Sequence, residues 1–387
     1  MAFKLDDMTQ VLALTTRKGV GSLRWQKPQW IDFLPPCNHA CPAGEDIQAW
    51  LALAQAGRHA DAWRTLVENN PLPSTHGRAC YHPCESSCNR AALDAPIAIH
   101  AVERFLGDLA SDNAWTVPVA APSGKRVLIV GAGPAGLSCA WQLARRGHAV
   151  EIRDQNPNPG GMMAYGIPEY RLPRTDLQRE IAHITALPGV TLRCGERVDD
   201  VARARREGGF DAAFVAVGAQ LSNHLDIPAV DGRRIVDAVG LLDQVRRDER
   251  PSLGRVVVVV GGGNTAMDAA RTARRLGAEE AVLVYRRDAA HMGAHPDEAE
   301  EAFAEGVKVK WVSTVQQFGA KGVVIEKMAL GADGQLTPTG ETEQLAADSV
   351  LLAVGQHSDL ALLAGAPKAT TAQGVVQVGE QMMAGED

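Results

Sequence analysis

Residues 125–154 read KRVLIVGAGPAGLSCAWQLARRGHAVEIRD. A short β-branched run, 125–130, feeds directly into Gly131, Gly133 and Gly136, and a helical stretch, 137–146, leads to a second strand ending at Asp154. Strand, glycine turn, helix and strand make a βαβ unit. The first glycine permits the tight turn, the second lets backbone approach a pyrophosphate, and the third allows close packing of helix on strand. Free N–H groups and the dipole at the helix N-terminus favour phosphates. Asp154 stands where a carboxylate can accept hydrogen bonds from ribose hydroxyls. A purely structural glycine turn is the plainer alternative, but the acid-terminated setting favours a dinucleotide site.

The pattern recurs at 255–287, RVVVVVGGGNTAMDAARTARRLGAEEAVLVYRR. Here Gly261, Gly263, Asn264, Thr265 and Ala266 occupy the turn between a strand and a helix, and alanine in the third position still permits close packing. Arg286 and Arg287 end the unit, where a planar guanidinium could receive a 2'-phosphate. The alternative is that they solvate a strand end. Two such units at this separation are two nucleotide-binding domains and not a solenoid. Between them Gly160 and Gly161 follow Asp154 closely, and Arg171 lies in the Pro-rich stretch after them. A glycine pair brings backbone near a bulky planar ligand, although an ordinary surface loop also fits. Further strands are expected at 214–217, 307–318, 323–330 and 349–353.

Upstream, residues 1–117 have helical texture at 47–56, 60–67 and 99–109, broken by a turn region at 71–77 and followed by a Pro/Gly linker at 118–124. Cys37, Cys41, Cys80, Cys84 and Cys88 fall here, whereas Cys139 and Cys194 are isolated. An odd number of thiols without a secretion signal argues against a disulfide scaffold. The short spacings in CNHAC and CYHPCESSC put thiolates on adjacent turns, which suits an iron–sulfur cluster. Zinc and a non-metal site are the rivals.

The chain has 387 residues, 45% hydrophobic and 22% charged, with a net charge of −7. That is room for two or three domains, and the acidic balance gives no reason to expect a nucleic-acid or anionic-membrane partner. No run approaches the roughly 20 apolar residues of a membrane span. Met1 to Asp7 lacks the basic head and apolar stretch of a signal peptide, so the expected location is the cytoplasm.

Three blocks carry a family resemblance: GGMMAYGIPEYRLPR, the second glycine unit with VYRR, and the cysteine segments CNHACP, NPLPSTHGRACYHPCESSCNR and PIAIHAVERFLGD. They resemble the small-subunit family of glutamate synthase and the electron-input domains of dihydropyrimidine dehydrogenase. The resemblance implies an α/β fold of two Rossmann-like domains, the second inserted in the first, preceded by a helical iron–sulfur domain. The implied boundaries are 1–117 for the iron–sulfur domain, 118–237 and 353–387 for the two parts of the FAD domain, and 238–352 for the NAD(P) domain. Ala-Val-Gly turns at 216–218 and 353–355 look like the crossings between the two domains. FAD is then expected at Gly131, Gly133, Gly136, Asp154, Gly160, Gly161 and Arg171, with Gly355 at the second crossing. NAD(P) is expected at Gly261, Gly263, Asn264, Thr265, Ala266, Arg286 and Arg287. Asp288 beside the arginines, and Gly293 in place of the family's proline, leave NAD against NADP open. The family's closing glycine–aspartate segment has no counterpart before Asp387, so the end reads either as truncated or as a flavin site left open and weakened unless another chain covers it.

The family's cysteine domain normally carries two 4Fe-4S clusters, but residues 1–36 contain no cysteine. One cluster is therefore implied, held by Cys41, Cys80, Cys84 and Glu103, the last where dihydropyrimidine dehydrogenase uses glutamine. In the alternative, Glu103 caps or solvates its helix and Cys37 or Cys88 completes an all-cysteine site. The implied function is an NAD(P)-coupled, FAD-dependent electron-transfer subunit, partnered by other subunits of a larger iron–sulfur oxidoreductase such as glutamate synthase or an oxoacid or aldehyde oxidoreductase. A stand-alone NAD(P)H:acceptor reductase, and a structural or redox-sensing subunit with degenerate sites, are the alternatives. Hydride transfer needs no protein acid or base, so no catalytic residue is expected.

Overall fold

The computed structural model describes residues 34–230, 234–331, 334–366, 368–379 and 382–384. Expectations on residues 1–33 and on 385–387 lie outside the described residues.

The cysteine segment forms helices α1 (Pro36–Ala40), α2 (Ile47–Gln55), α3 (His59–Leu66), α4 (Pro73–Ala79), α5 (Pro83–Ser86) and α6 (Ile99–Asn113). Asp46 starts α2 by accepting the Ala49 N–H at 3.2 Å, an ordinary N-cap. In α6 the buried residues Ile99, Glu103, Leu106, Gly107 and Ala110 recur at three- and four-residue spacing, which marks one inward face. Residues 71–77, expected as a turn region, contribute most of α4 instead. The cause is tertiary: the Glu180 carboxylate, far along the chain, accepts the N–H groups of Ser74 at 2.6 Å and Thr75 at 2.8 Å. Two donors that a helix start leaves unpaired are thereby satisfied.

After the linker come β1 (Arg126–Val130), α7 (Pro134–Arg145), β2 (Ala149–Asp154), α8 (Met162–Tyr165), α9 (Arg174–Thr185), β3 (Val190–Cys194), α10 (Val201–Gly208) and β4 (Ala212–Val215). Their strands make a parallel sheet in the order β3-β2-β1-β4. The helical segment is not a bead on a linker. Ile47, Trp50, Trp63 and Leu106 share one core with Ile129, Leu137, Trp141, Ile152 and Leu177. Trp141 Nε1 donates to the Val67 carbonyl at 2.8 Å, and Trp63 stacks on His183 with centroids 5.3 Å apart. Each fully buried large side chain here contributes roughly 1.5–3 kcal/mol over exposure, so the two segments stabilise one another.

The second unit lies between β5 (Leu221–Ser222) and β14 (Gln356–His357), which pair antiparallel at the two crossings. It comprises β6 (Arg234–Asp237), α11 (Ala238–Arg246), β7 (Val256–Val260), α12 (Asn264–Arg275), β8 (Glu280–Val284), α13 (Pro296–Ala304), β9 (Lys308–Lys310), a three-stranded antiparallel sheet of β10 (Ser313–Gly319), β11 (Gly322–Leu330) and β12 (Leu336–Leu345), and β13 (Ser349–Leu352). The main sheet is parallel in the order β6-β13-β7-β8-β9. Its centre, the all-valine β7, is covered on both faces, as an uninterrupted apolar run in a parallel sheet requires. Arg234 pairs with Ser349 in this sheet, so 234–237, expected in the first FAD segment, belongs to the inserted unit. The pairing partner sits far downstream, where no local pattern points to it. β12 also had no sequence signal, because its residues are mostly polar and exposed. Among the described residues no helix is long and apolar enough to cross a membrane.

Candidate functional site

Gly131 has φ +110, and a Cβ there would lie 2.2 Å from the Ala216 carbonyl oxygen. A Cβ on Gly136 would lie 1.9 Å from the Gly131 oxygen. Gly133 differs, since the nearest atom to its built Cβ is the Gly161 Cα at 3.8 Å. The outer glycines are demanded by packing, whereas the middle one keeps a face open, as approach of a pyrophosphate requires. The Gly160 N–H donates to the Ala132 carbonyl at 2.8 Å, bringing the glycine pair against the first turn. Asp154 is buried and accepts the N–H groups of Ala132 at 2.7 Å and Asn156 at 2.8 Å. It therefore holds the loop, and a cleft of about 90 Å³ opens beside it between Gly131, Gln155, Leu221 and Asp359. Gly355, with φ +97, sits at the second crossing, where its carbonyl accepts the Asn223 N–H at 2.9 Å.

Arg171 is engaged elsewhere. One terminal nitrogen donates to Asp268 at 2.7 Å and the other pairs with Glu298. These acids stand on α12 and α13, so Arg171 ties the YGIPEYR segment to the inserted unit. Burial raises Asp268 to about 6 against the pull of Arg171. Arg275 lies over the Tyr170 ring at 3.8 Å and strengthens the same contact.

The second cradle repeats the first. Gly261 has φ +147, and a Cβ on it would lie 2.4 Å from the Ala353 oxygen. A Cβ on Gly263 meets nothing within 4 Å. Ala266 is fully buried under the start of α12, and Thr265 is half-buried in the same turn. Asn264 accepts the His295 N–H at 2.8 Å through Oδ1 and donates from Nδ2 to the Tyr81 hydroxyl. Tyr81 follows Cys80 directly and stacks on His295, with centroids 5.1 Å apart and planes 12° from parallel. The loop that follows Cys80 thus touches the start of α12. A cleft of about 980 Å³ runs from Cys80 and His82 to His295 and Arg171.

At the end of β8, neither Arg286 nor Arg287 has an ion-pair partner among the described residues. Asp288 accepts from the His291 N–H at 3.1 Å and meets its ring Nδ1 at 2.6 Å. Asp288, which left the phosphate preference open in the sequence, is engaged by His291.

Burial raises the thiols of Cys41 and Cys80, and Cys84 to about 12. After burial, Cys80 feels the charges of Glu103 and Cys41, and Cys84 those of Glu85, Cys41, Cys80 and Glu103. Cys37 instead feels Cys88 and Asp46. The His82 N–H donates to the Cys80 sulfur at 3.4 Å, the kind of contact that tunes a cluster thiolate.

Glu103 faces inward, only 7% exposed, and accepts from Asn70 Nδ2 at 2.5 Å. The same amide donates to Glu45 at 2.9 Å, and Trp50 Nε1 donates to Glu45 at 3.1 Å. Burial, then the Glu45 charge, push Glu103 well above the usual carboxylate range. A solvated or capping role does not describe this side chain. Glu45 and Asn70 carried no sequence signal, since nothing in their spacing turns them inward. Soft thiolate donors with buried carboxylates in their electrostatic surroundings suit an iron–sulfur core, whose positive charge would relieve the repulsion.

The family model for pyridine nucleotide-disulphide oxidoreductase matches residues 125–386. The model for dihydropyrimidine dehydrogenase domain II, 4Fe-4S cluster, matches 33–115. The chain is 39% identical over 368 residues to NADP(+)-dependent formate dehydrogenase subunit beta of Moorella thermoacetica, covering 85% of this chain and 52% of that one. It is 37% identical over 355 residues to NADPH-Fe(3+) oxidoreductase subunit beta of Geobacter sulfurreducens, covering 86% and 52%. It therefore spans about half the length of these two relatives. With the NAD-dependent dihydropyrimidine dehydrogenase subunit PreT of Escherichia coli it shares 32% identity over 331 residues, covering 84% and 77%. Among solved structures, Mycobacterium tuberculosis FprA in complex with NADPH aligns over 60% of this chain and 71% of that one, with TM-score 0.52 and 20% identity, a likeness of fold.

Proposed function

The chain belongs to the pyridine nucleotide-disulphide oxidoreductase family, and on that premise we propose that it is an NAD(P)-dependent flavoprotein subunit carrying electrons between a nicotinamide nucleotide and the iron–sulfur centres of a larger oxidoreductase. The observation that carries the reading is the meeting of three parts in one body: two glycine cradles with open middle positions, and a cysteine loop whose Tyr81 touches the second cradle. FAD, when bound, takes an electron pair as hydride from NAD(P)H and releases electrons singly to a cluster. The chain's own work is positional. Gly133 and Gly263 leave room for phosphates, α7 and α12 present their N-terminal N–H groups, and the Arg171 contact with Asp268 holds one nucleotide unit against the other.

Cys41, Cys80, Cys84 and Glu103 hold a single 4Fe-4S cluster in this proposal, supported by the charges of Cys41 and Glu103 that act on Cys80 and Cys84. Cys37 and Cys88 stay outside it. NADP(H) is the preferred nucleotide, because Arg286 and Arg287 have no ion-pair partner among the described residues and Asp288 is engaged by His291. Two relatives named for NADP(+) or NADPH point the same way. The substrate chemistry resides in this proposal on a partner subunit of the formate, oxoacid or aldehyde oxidoreductase kind, or on a glutamate synthase, and a relative named as a formate dehydrogenase subunit supports the first of these.

Anaerobic purification with iron, sulfide and flavin analysis, followed by stopped-flow mixing with NADPH, tests the whole reading. Bound flavin that bleaches rapidly, with cluster reduction following, is expected. A purified assembly that holds flavin and iron but is not reduced by either NADPH or NADH overturns the electron-transfer role.

A further inference from the structure

We propose that Tyr81, carried by the cluster loop, is a binding residue of the nucleotide site at Gly261, Gly263 and Asn264, donating its phenolic hydrogen to a phosphate or ribose oxygen of bound NAD(P). The proposal rests on the reading of that loop as the NAD(P) site.

The argument turns on which atom donates. Asn264 Oδ1 accepts a backbone N–H from His295 at 2.8 Å. An amide oxygen must face such a donor, so the amide nitrogen is the atom that faces Tyr81. That nitrogen can only donate, and the Tyr81 oxygen is therefore the acceptor in the Asn264 contact. The phenol's own hydrogen is left over. It has no acceptor among the described residues, and Tyr81 is 50% exposed.

The donor is also preorganised. Stacking on His295, at 5.1 Å and 12°, fixes the ring, so little rotational freedom remains to be lost on binding. Beside it Asn264 opens α12, a 12-residue helix whose first N–H groups attract phosphate. Gly263, with nothing within 4 Å of a built Cβ, leaves the approach clear. A phosphate settling on this helix end arrives next to the free phenolic hydrogen. A hydrogen bond to a charged acceptor at such a position corresponds to about ten- to hundredfold in affinity.

The test uses the anaerobically purified holoprotein and calorimetric titration with NADP+ and NAD+, with iron and flavin content measured for each variant. Tyr81→Phe keeps the ring on His295 and removes only the hydroxyl. It is expected to retain iron and flavin and to bind at least about tenfold more weakly. Wild-type affinity in this variant overturns the proposal, as does tighter binding, which would make Tyr81 a plug. If Tyr81→Phe loses iron through its neighbour Cys80, the decision passes to His295→Ala, outside the cluster loop. Releasing the ring there is expected to weaken binding several-fold, and unchanged affinity overturns the proposal. Failure of the wild type to bind either nucleotide, or binding that Gly263→Val leaves intact, instead overturns the assignment of the loop as the NAD(P) site.

Discussion

Gly131 lies so close to Ala216 that a Cβ on the glycine would stand 2.2 Å from the alanine's carbonyl oxygen, and Gly261 repeats this with Ala353 at 2.4 Å. Each Ala-Val-Gly crossing is therefore packed against the first glycine of a nucleotide loop. Substitution there strains the fold, whereas a Cβ at Gly133 meets only ordinary contact with Gly161 at 3.8 Å and one at Gly263 meets nothing within 4 Å. Gly131→Ala is expected to cost more than roughly 1 kcal/mol in denaturant unfolding, from its positive φ and the clash together. Gly133→Val and Gly263→Val are expected to keep wild-type stability, the first losing FAD and the second losing reduction by NAD(P)H. Flavin content and stopped-flow bleaching separate the two. Flavin reduction that survives Gly263→Val contradicts the electron route.

Arg286 and Arg287 are expected to set nucleotide preference. Replacing both with Gln removes charge-assisted bonds worth about 1.5–3 kcal/mol each, so NADPH affinity should fall at least about tenfold with little change for NADH. Equal losses for the two nucleotides, measured by titration, would remove the phosphate role and leave general electrostatics as the account.

The charge coupling among cysteines makes a prediction about iron. Cys41→Ser, Cys80→Ser and Cys84→Ser should each deplete iron and sulfide in anaerobically prepared protein, while Cys37→Ser and Cys88→Ser should retain both. Glu103→Ala removes a hard ligand and should lower cluster occupancy or shift its potential. Full iron content and an unchanged potential in Glu103→Ala, with iron lost in Cys37→Ser or Cys88→Ser, would favour an all-cysteine cage.

Glu180 links pH to stability. Burial raises its carboxyl from 4.5 to about 7, while its bonds to Ser74 and Thr75 pull the other way. Between those values the unfolded chain releases its proton first, so rising pH favours unfolding. The contribution is fully present below about 4.5 and is lost as pH rises through about 7. Glu180→Gln cannot ionise, so the stability difference between it and the wild type should change by on the order of 3 kcal/mol across that range. Urea midpoints at about pH 5 and about pH 8 measure this. A difference that does not move with pH would show that Glu180 does not titrate there.

What the sequence determined by itself is local. A βαβ unit around GxGxxG needs only a strand, glycines able to adopt positive φ, and a following helix, all within some thirty residues, so both cradles were legible. The CNHAC and CYHPCESSC spacings likewise mark soft ligands, because cysteines a few residues apart share neighbouring turns whatever the rest of the chain does. Tertiary structure decided the rest. It put Cys80 within electrostatic reach of Cys41 and Glu103, and Cys37 within that of Cys88, and it buried Glu45 and Asn70 in one hydrogen-bonded cluster with Glu103. It also drew Arg171 into an ion pair with Asp268, moved Arg234–Asp237 into the second sheet, and built α4 from an expected turn by capping it with Glu180. Each of these depends on partners remote in sequence, brought together only when the shared core excludes water and leaves buried polar groups no partner but one another.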